Sequence, residues 1–160
     1  MLVVTINGSP RKNGNTSIAL DTVSKALNAE GIATKRIDIG DKAIRGCIAC
    51  GRCGREQDLR CVFNDDPVND AVAQLAGADG MVVGSPVYFA GINGTVKCFL
   101  DRVFFVAGAN GSLFRHKVGA GVVAVRRGGE TTAWDQLNKY FTISEMLVPG
   151  ATYWNMLFGM

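Results

Sequence analysis

This sequence predicts an α/β fold built on a single parallel sheet, and three features point there. Strand and helix patterns alternate from one end to the other, with no linker, repeat or low-complexity segment between them. Val118 to Val125 is a continuous apolar run that includes glycines, as expected of a strand buried on both faces. Polar, glycine-bearing loops follow the strands, on the side where such sheets gather their ligands.

Each element can be justified in order. Leu2 to Ile6, rich in β-branched residues, is the first strand. The helix that follows, Ser17 to Glu30, carries Ala19, Val23, Ala26 and Leu27 at helical spacing, and Gly31 stops it. Ile32 to Ile39 is a second strand. Asp65-Asp66-Pro67 reads as a cap followed by a first-turn proline, and Val68, Ala71, Val72 and Leu75 stripe the second helix. Met81-Val82-Val83 is the third strand, ending in a loop from Gly84 to Gly91. Val96, Phe99, Leu100, Val103 and Phe104 mark the third helix and Val118 to Val125 the fourth strand. Arg126-Arg127-Gly128-Gly129 is the next loop, Trp134, Leu137 and Phe141 mark a fourth helix, and Leu147 to Tyr153 fits a fifth strand. Five strands in βα alternation give the order 2-1-3-4-5 of a three-layer flavodoxin-like fold, in one domain spanning 1–160 with a cysteine-rich insertion at about 45–64.

Composition narrows the function. At 160 residues the chain suffices for one core that buries about 70% of its unfolded surface. Its 17 basic and 14 acidic side chains leave a charge of +3, too small and too scattered to imply a nucleic-acid partner. No apolar stretch approaches the roughly 20 residues that span a bilayer, so no membrane role is expected. The strand beginning at Leu2 leaves no room for a signal peptide, and the expected location is cytoplasmic, where cysteines serve as metal ligands, redox groups or core thiols.

The segment Gly8 to Ser17 lies at a strand's carboxyl end and a helix's amino end, where free backbone N–H groups and the helix dipole favour an anion. Ser9, Thr16 and Ser17 add hydroxyls and Arg11 a guanidinium. Two nucleotide loops fail on spacing. A P-loop would need its second glycine at Asn13, and G-x-G-x-x-G would need glycine where Pro10 stands. A single terminal phosphate fits best, against the alternative of a plain turn with no ligand. The loops at Ser85 to Gly91 and Arg126 to Gly129 each follow a strand, and the topology brings all three to one sheet edge.

With these loops the chain resembles the flavodoxin-like NAD(P)H-dependent FMN reductase family, and within it the iron-sulfur flavoprotein branch. The resemblance covers nearly the whole chain. It implies that Ser9, Arg11, Asn15, Thr16 and Ser17 hold the FMN phosphate, that Ser85, Pro86, Val87, Tyr88 and Phe89 border the flavin ring, that Gly128 and Gly129 let the backbone approach its pyrimidine end, and that Arg126 or Arg127 stabilises the anionic reduced flavin. Reduced NAD(P)H would be a transient co-substrate. The flavin would carry the chemistry with no catalytic side chain of the protein, and electrons would pass to a small-molecule or protein acceptor. A homodimer or homotetramer is implied as well. Relatives place a fifth helix after the last strand, so the chain is either truncated or covered there by a partner.

Cys47, Cys50, Cys53 and Cys61 fall within fifteen residues, a spacing similar to the cluster motif of that branch, and imply a 4Fe-4S cluster. Two other readings fit the residues: a thiol/disulfide set in an FMN-only reductase, and zinc. The four nearby arginines, Arg45, Arg52, Arg55 and Arg60, would offset thiolate charge. Cys98 lies on an apolar stripe and reads as a core thiol, and His116, the only histidine, as a surface residue. C-x5-R phosphatase chemistry is excluded, because Cys53 and Glu56 stand where its arginine would be. Two functional alternatives to the reductase remain: an iron-sulfur electron carrier, and a regulatory module that holds flavin without turnover.

Overall fold

The computed structural model describes residues 1–159. In chain order its elements are β1 (Leu2–Asn7), α1 (Asn15–Ala29), β2 (Ala33–Asp38), α2 (Arg52–Glu56), α3 (Val68–Ala76), β3 (Gly80–Tyr88), β4 (Gly91–Ile92), α4 (Gly94–Ala109), β5 (Val118–Val125), α5 (Glu130–Ile143) and β6 (Met156–Phe158). The parallel strands lie in the order β2-β1-β3-β5-β6, which is the expected 2-1-3-4-5 path, and β4 pairs antiparallel with β3 off that path. The flavodoxin-like fold is confirmed, with six strands where five were expected.

Alternation along the strands divides the core between two faces. Val4 and Ile6 of β1, Met81 and Val83 of β3 and Val123 of β5 point toward α3, α4 and α5, whose Val72, Leu75, Phe99, Leu100, Val103, Leu137 and Phe141 complete the main cluster. On the other face Leu20 of α1 meets Val82 and Val122, with Val3, Ala19, Val23 and Ala120 partly buried around them. Hydrophobic stabilisation is therefore concentrated under three helices, where truncating a fully buried ring such as Phe99 costs about 3–5 kcal/mol.

Three differences from the expected elements have physical causes. β3 does not stop at Val83: it runs on to Tyr88, because β4 turns back and pairs Val87 with Ile92 and Tyr88 with Gly91. The turn between them is only Phe89-Ala90, and both residues have positive φ, 48° and 60°. Two-residue hairpin turns require that geometry, which asparagine and glycine normally supply. The fifth strand is Met156–Phe158 rather than Leu147 to Tyr153, and only an isolated bridge joins Leu147 to Val118. Pro149-Gly150 interrupts the apolar run and removes a ladder donor. Finally, Pro67 occupies the cap of α3 rather than its first turn, and Asp66 Oδ1 accepts the Val68 N–H at 3.2 Å.

Candidate functional site

The carboxyl ends of β1, β3 and β5 open onto a cleft of about 590 Å³, within the range of small-molecule sites. One wall is the loop before α1, held rigid by its own hydrogen bonds. Asn7 Oδ1 accepts the Ser9 N–H at 3.1 Å, Ser9 Oγ accepts the Arg11 N–H at 3.2 Å, and the Arg11 carbonyl accepts the Gly14 N–H at 3.1 Å. Asn7 is itself anchored to Asp38 at 2.9 Å. Gly40 packs on the loop so closely that a Cβ there would stand 2.1 Å from the Ser9 carbonyl carbon. Gly14 caps α1 without a side-chain acceptor, and no acidic residue occupies the first turn. The positive helix terminus therefore meets the cleft uncompensated, with exposed Arg11 beside it and in no ion pair among the described residues.

Of the residues singled out from the sequence, Ser9, Arg11, Asn15, Thr16, Pro86, Val87, Tyr88 and Arg126 line this cleft together. Ser17 faces away from it: its hydroxyl accepts Arg36 Nη2 at 2.7 Å, in a separate cavity beside β2. Ser85 is buried behind the hairpin, where its hydroxyl donates to the Pro86 carbonyl at 2.9 Å and accepts the Asn93 N–H at 3.0 Å. Phe89 stands at the hairpin tip with its side chain wholly exposed, outside the cleft wall. Arg127 and Gly128 are exposed and also outside it. Gly129, with φ of 92°, packs against Ala90 and fastens the third loop to the hairpin.

Two contributors were not foreseen. Asn93 caps α4, its Oδ1 accepting from Thr95 N at 2.7 Å and Val96 N at 3.3 Å, and its place before an apolar stripe was a legible signal. Gly159, which closes one end of the cleft against Asn15 and donates its N–H to the Val125 carbonyl at 3.0 Å, left none.

The four clustered cysteines line a second, apolar cavity of about 190 Å³. Cys47, Cys50 and Cys53 come from the long segment between β2 and α3, whose turns place Ala49, Gly51, Gln57 and Leu59 at positive φ. α2 lies within it, tied by Arg52 Nη2 to Asp58 Oδ2 at 2.6 Å; that hydrogen bond holds the Asp58 carboxyl below its ordinary pKa. Cys61 is fixed more firmly. Buried Asn69 accepts its N–H at 2.7 Å and donates to its carbonyl at 3.2 Å. From the cavity floor, Arg102 of α4 donates Nε–H to Cys61 Sγ at 3.3 Å and forks onto the Asp66 carboxylate. Burial opposes the Arg102 charge, but the bonds to Asp66 and Cys61 outweigh it and raise its pKa.

All five cysteines are free thiols, and Cys98 lies beside the start of this segment, 3.8 Å from where Gly46 would carry a Cβ. Among the described residues no group of three or more His, Cys, Asp or Glu side chains is drawn together around a metal position. The donor set nonetheless fits an iron-sulfur group in its chemistry: four thiols face one apolar cavity whose wall contains no carboxylate or imidazole.

A cleft at the switch point of a 2-1-3-4-5 sheet, with a helix terminus ready for a phosphate, is the ligand site of a flavodoxin-like fold. The chain belongs to the NADPH-dependent FMN reductase family, whose model matches residues 1–159. It is 38% identical over 152 residues to an iron-sulfur flavoprotein of Methanocaldococcus jannaschii, covering 94% of this chain and 76% of that protein. An iron-sulfur flavoprotein of Methanosarcina thermophila is 31% identical over 152 residues, covering 94% and 78% respectively. Among solved structures, a flavoenzyme NAD(P)H:(acceptor) oxidoreductase from Paracoccus denitrificans superposes with a TM-score of 0.67 at 17% identity, over 99% of this chain and 80% of that one, and shows the shared fold. Among the described residues no helix is long and apolar enough to cross a membrane.

Proposed function

We propose that this chain holds FMN in the cleft beside β1, β3 and β5, is reduced by NAD(P)H, and hands electrons on through a 4Fe-4S cluster held by Cys47, Cys50, Cys53 and Cys61. The observation that carries the reading is the convergence of the α1 terminus, Arg11 and the Pro86–Tyr88 strand on one cleft. When bound, FMN supplies hydride acceptance from reduced nicotinamide and the release of electrons to an acceptor.

The chain's own residues bind and orient. The first-turn N–H groups of α1, Ser9, Thr16 and the Arg11 guanidinium receive the phosphate. Tyr88, about half exposed, offers a ring face to the flavin, and Val87 and Pro86 keep water from its edge. Arg126 adds positive charge at the far wall, where the reduced flavin gathers negative charge. Four thiols in one apolar cavity, together with the relatives named as iron-sulfur flavoproteins, favour the cluster over a dithiol or zinc. The location is taken as cytoplasmic and the assembly as a homodimer or homotetramer, which light scattering measures.

Protein purified without oxygen should contain FMN, iron and sulfide and should oxidise NAD(P)H with a quinone or free flavin as acceptor. Arg11→Ala should weaken FMN binding about 10- to 100-fold, the worth of one hydrogen bond to a charged group. No retained FMN, and no effect of that change, would defeat the flavin reading; full FMN without iron would defeat the cluster alone.

A further inference from the structure

We infer that Arg102 sets the reduction potential of the cysteine-bound group, by donating its Nε–H to the Cys61 sulfur from beneath the cavity. This rests on the cluster reading above. Arg102 is a positioning residue that would act through a ligand and would not touch the flavin.

The side chains of Arg102 and Asp66 are 0% and 3% exposed. Burying such a pair is costly, and apolar side chains of similar volume commonly serve stability as well or better. The surrounding helix face offers Phe99, Val103 and Val106, so an apolar residue would continue it. What the guanidinium adds is direction. Asp66 takes Nη1 and Nη2 in a fork, and the planar group then has only one way to aim Nε, which is at Cys61. Phe63 lies against the same guanidinium, 5.1 Å from ring centroid to Cζ.

The acceptor is equally fixed. Asn69 grips both backbone groups of Cys61, whereas Cys47 and Cys50 lie in an exposed segment. Cys47 Sγ accepts only the Ala49 N–H of its own exposed turn, at 3.4 Å, whereas Cys61 Sγ accepts from a fully buried side chain that is itself held by an ion pair. One-electron reduction adds one negative charge to the group, and a charge-assisted N–H bond to a ligating sulfur, in an apolar wall, stabilises the reduced form more than the oxidised one. Hydrogen bonds to the sulfurs are among the determinants of such potentials. Asp66 offsets part of the positive charge, so the aimed N–H bond, and not net charge alone, carries the effect.

The test uses the full chain purified without oxygen. Iron and sulfide are counted, and the two redox couples are titrated separately by absorbance and electron paramagnetic resonance. Two variants are compared with the unaltered protein: Arg102→Lys, which keeps the charge and loses the fork, and Arg102→Met combined with Asp66→Asn, which leaves no buried carboxylate unpaired. The cluster couple should fall by tenfold or more in its reduction equilibrium, about 59 mV for one electron, in the double variant and by less in Arg102→Lys, with the FMN couple unmoved. An unchanged cluster couple in iron-replete variants would overturn the inference alone. Loss of iron from both variants, with fold and FMN intact, would also overturn it, since Arg102 would then serve assembly. An iron-free unaltered protein with full FMN would overturn this inference and the cluster reading together.

Discussion

Gly129 lies against Ala90 so closely that a Cβ on the glycine would stand 2.4 Å from the Ala90 Cα. This contact locks the loop after β5 to the β3–β4 hairpin, and Arg126 of that loop and Pro86 to Tyr88 of the hairpin both line the cleft. Gly129 also has φ of 92°, a conformation that costs a residue with a Cβ about 1–2 kcal/mol. Gly129→Ala should therefore destabilise the chain by more than that backbone penalty and separate Ala90 from the third loop. The readouts are the urea midpoint and FMN retention after gel filtration, and both should fall.

Ser17 and Thr16 are neighbours in sequence and differ in what they can reach. Thr16 lines the cleft, while the Ser17 hydroxyl is taken by Arg36, which also pairs with Asp21 and Asp38. Ser17→Ala should leave the FMN dissociation constant within about twofold of its original value, because less than half a kcal/mol is then lost from the cleft. Its cost should instead appear as a small drop in stability. A tenfold loss of FMN affinity in fluorescence titration would show that Ser17 turns into the cleft when the ligand arrives.

The sequence made the sheet order legible because strand and helix patterns alternate along the chain, the interior strands are mainly apolar, and glycine-bearing loops follow β1 and β5. It did not reveal the hairpin, since Tyr88-Phe89-Ala90-Gly91 lacks the Asn-Gly signature and reaches the same turn with two strained residues. Nor did it show where Ser17 turns, because helical phase at a first turn depends on whether Asn15 or Ser17 begins the helix. The apolar run from Leu147 to Tyr153 is not the last strand because Pro149-Gly150 cannot lie inside a ladder. Arg102 was overlooked for a related reason. It occupies the register of Phe99 and Val106 on the buried stripe of α4, and a charged residue in that register signals a paired function rather than a surface.

Asn93 joins two jobs. Its side chain caps α4, and its N–H donates to buried Ser85 at 3.0 Å. Asn93→Ala removes the cap and should cost about 1 kcal/mol, as capping residues generally do. Ser85→Ala should cost more than its lost methyl-sized volume implies, because it leaves the Asn93 N–H buried without a partner, at about 1–3 kcal/mol. The two variants remove different bonds, the side-chain cap and the backbone N–H contact, but they meet at one residue, and any departure of the double variant from the summed losses measures the coupling between hairpin and α4. Chemical unfolding of the three variants measures this directly.

Tyr140 ties α5 to α4 through Asp101, its OH donating to Oδ1 at 2.5 Å while Lys97 Nζ contacts the same carboxylate at 2.6 Å. Burial, reinforced by the Asp101 hydrogen bond, pushes the Tyr140 pKa up to about 12, against an unfolded value of about 10. A raised pKa means that the folded chain holds the proton more tightly. Its contribution to stability is therefore complete below about pH 10 and is lost as pH rises through about 12. Lys97 moves in the same direction: burial alone would lower it, but the bonds to Asp101 and Tyr140 raise it, so its contribution also fades in alkali. The free energy of unfolding should fall steadily above pH 10, and Tyr140→Phe should flatten that slope while lowering stability at neutral pH through loss of the Asp101 hydrogen bond. Urea titrations from neutral pH into that alkaline range decide the point. An identical alkaline slope in Tyr140→Phe would assign the loss to other groups.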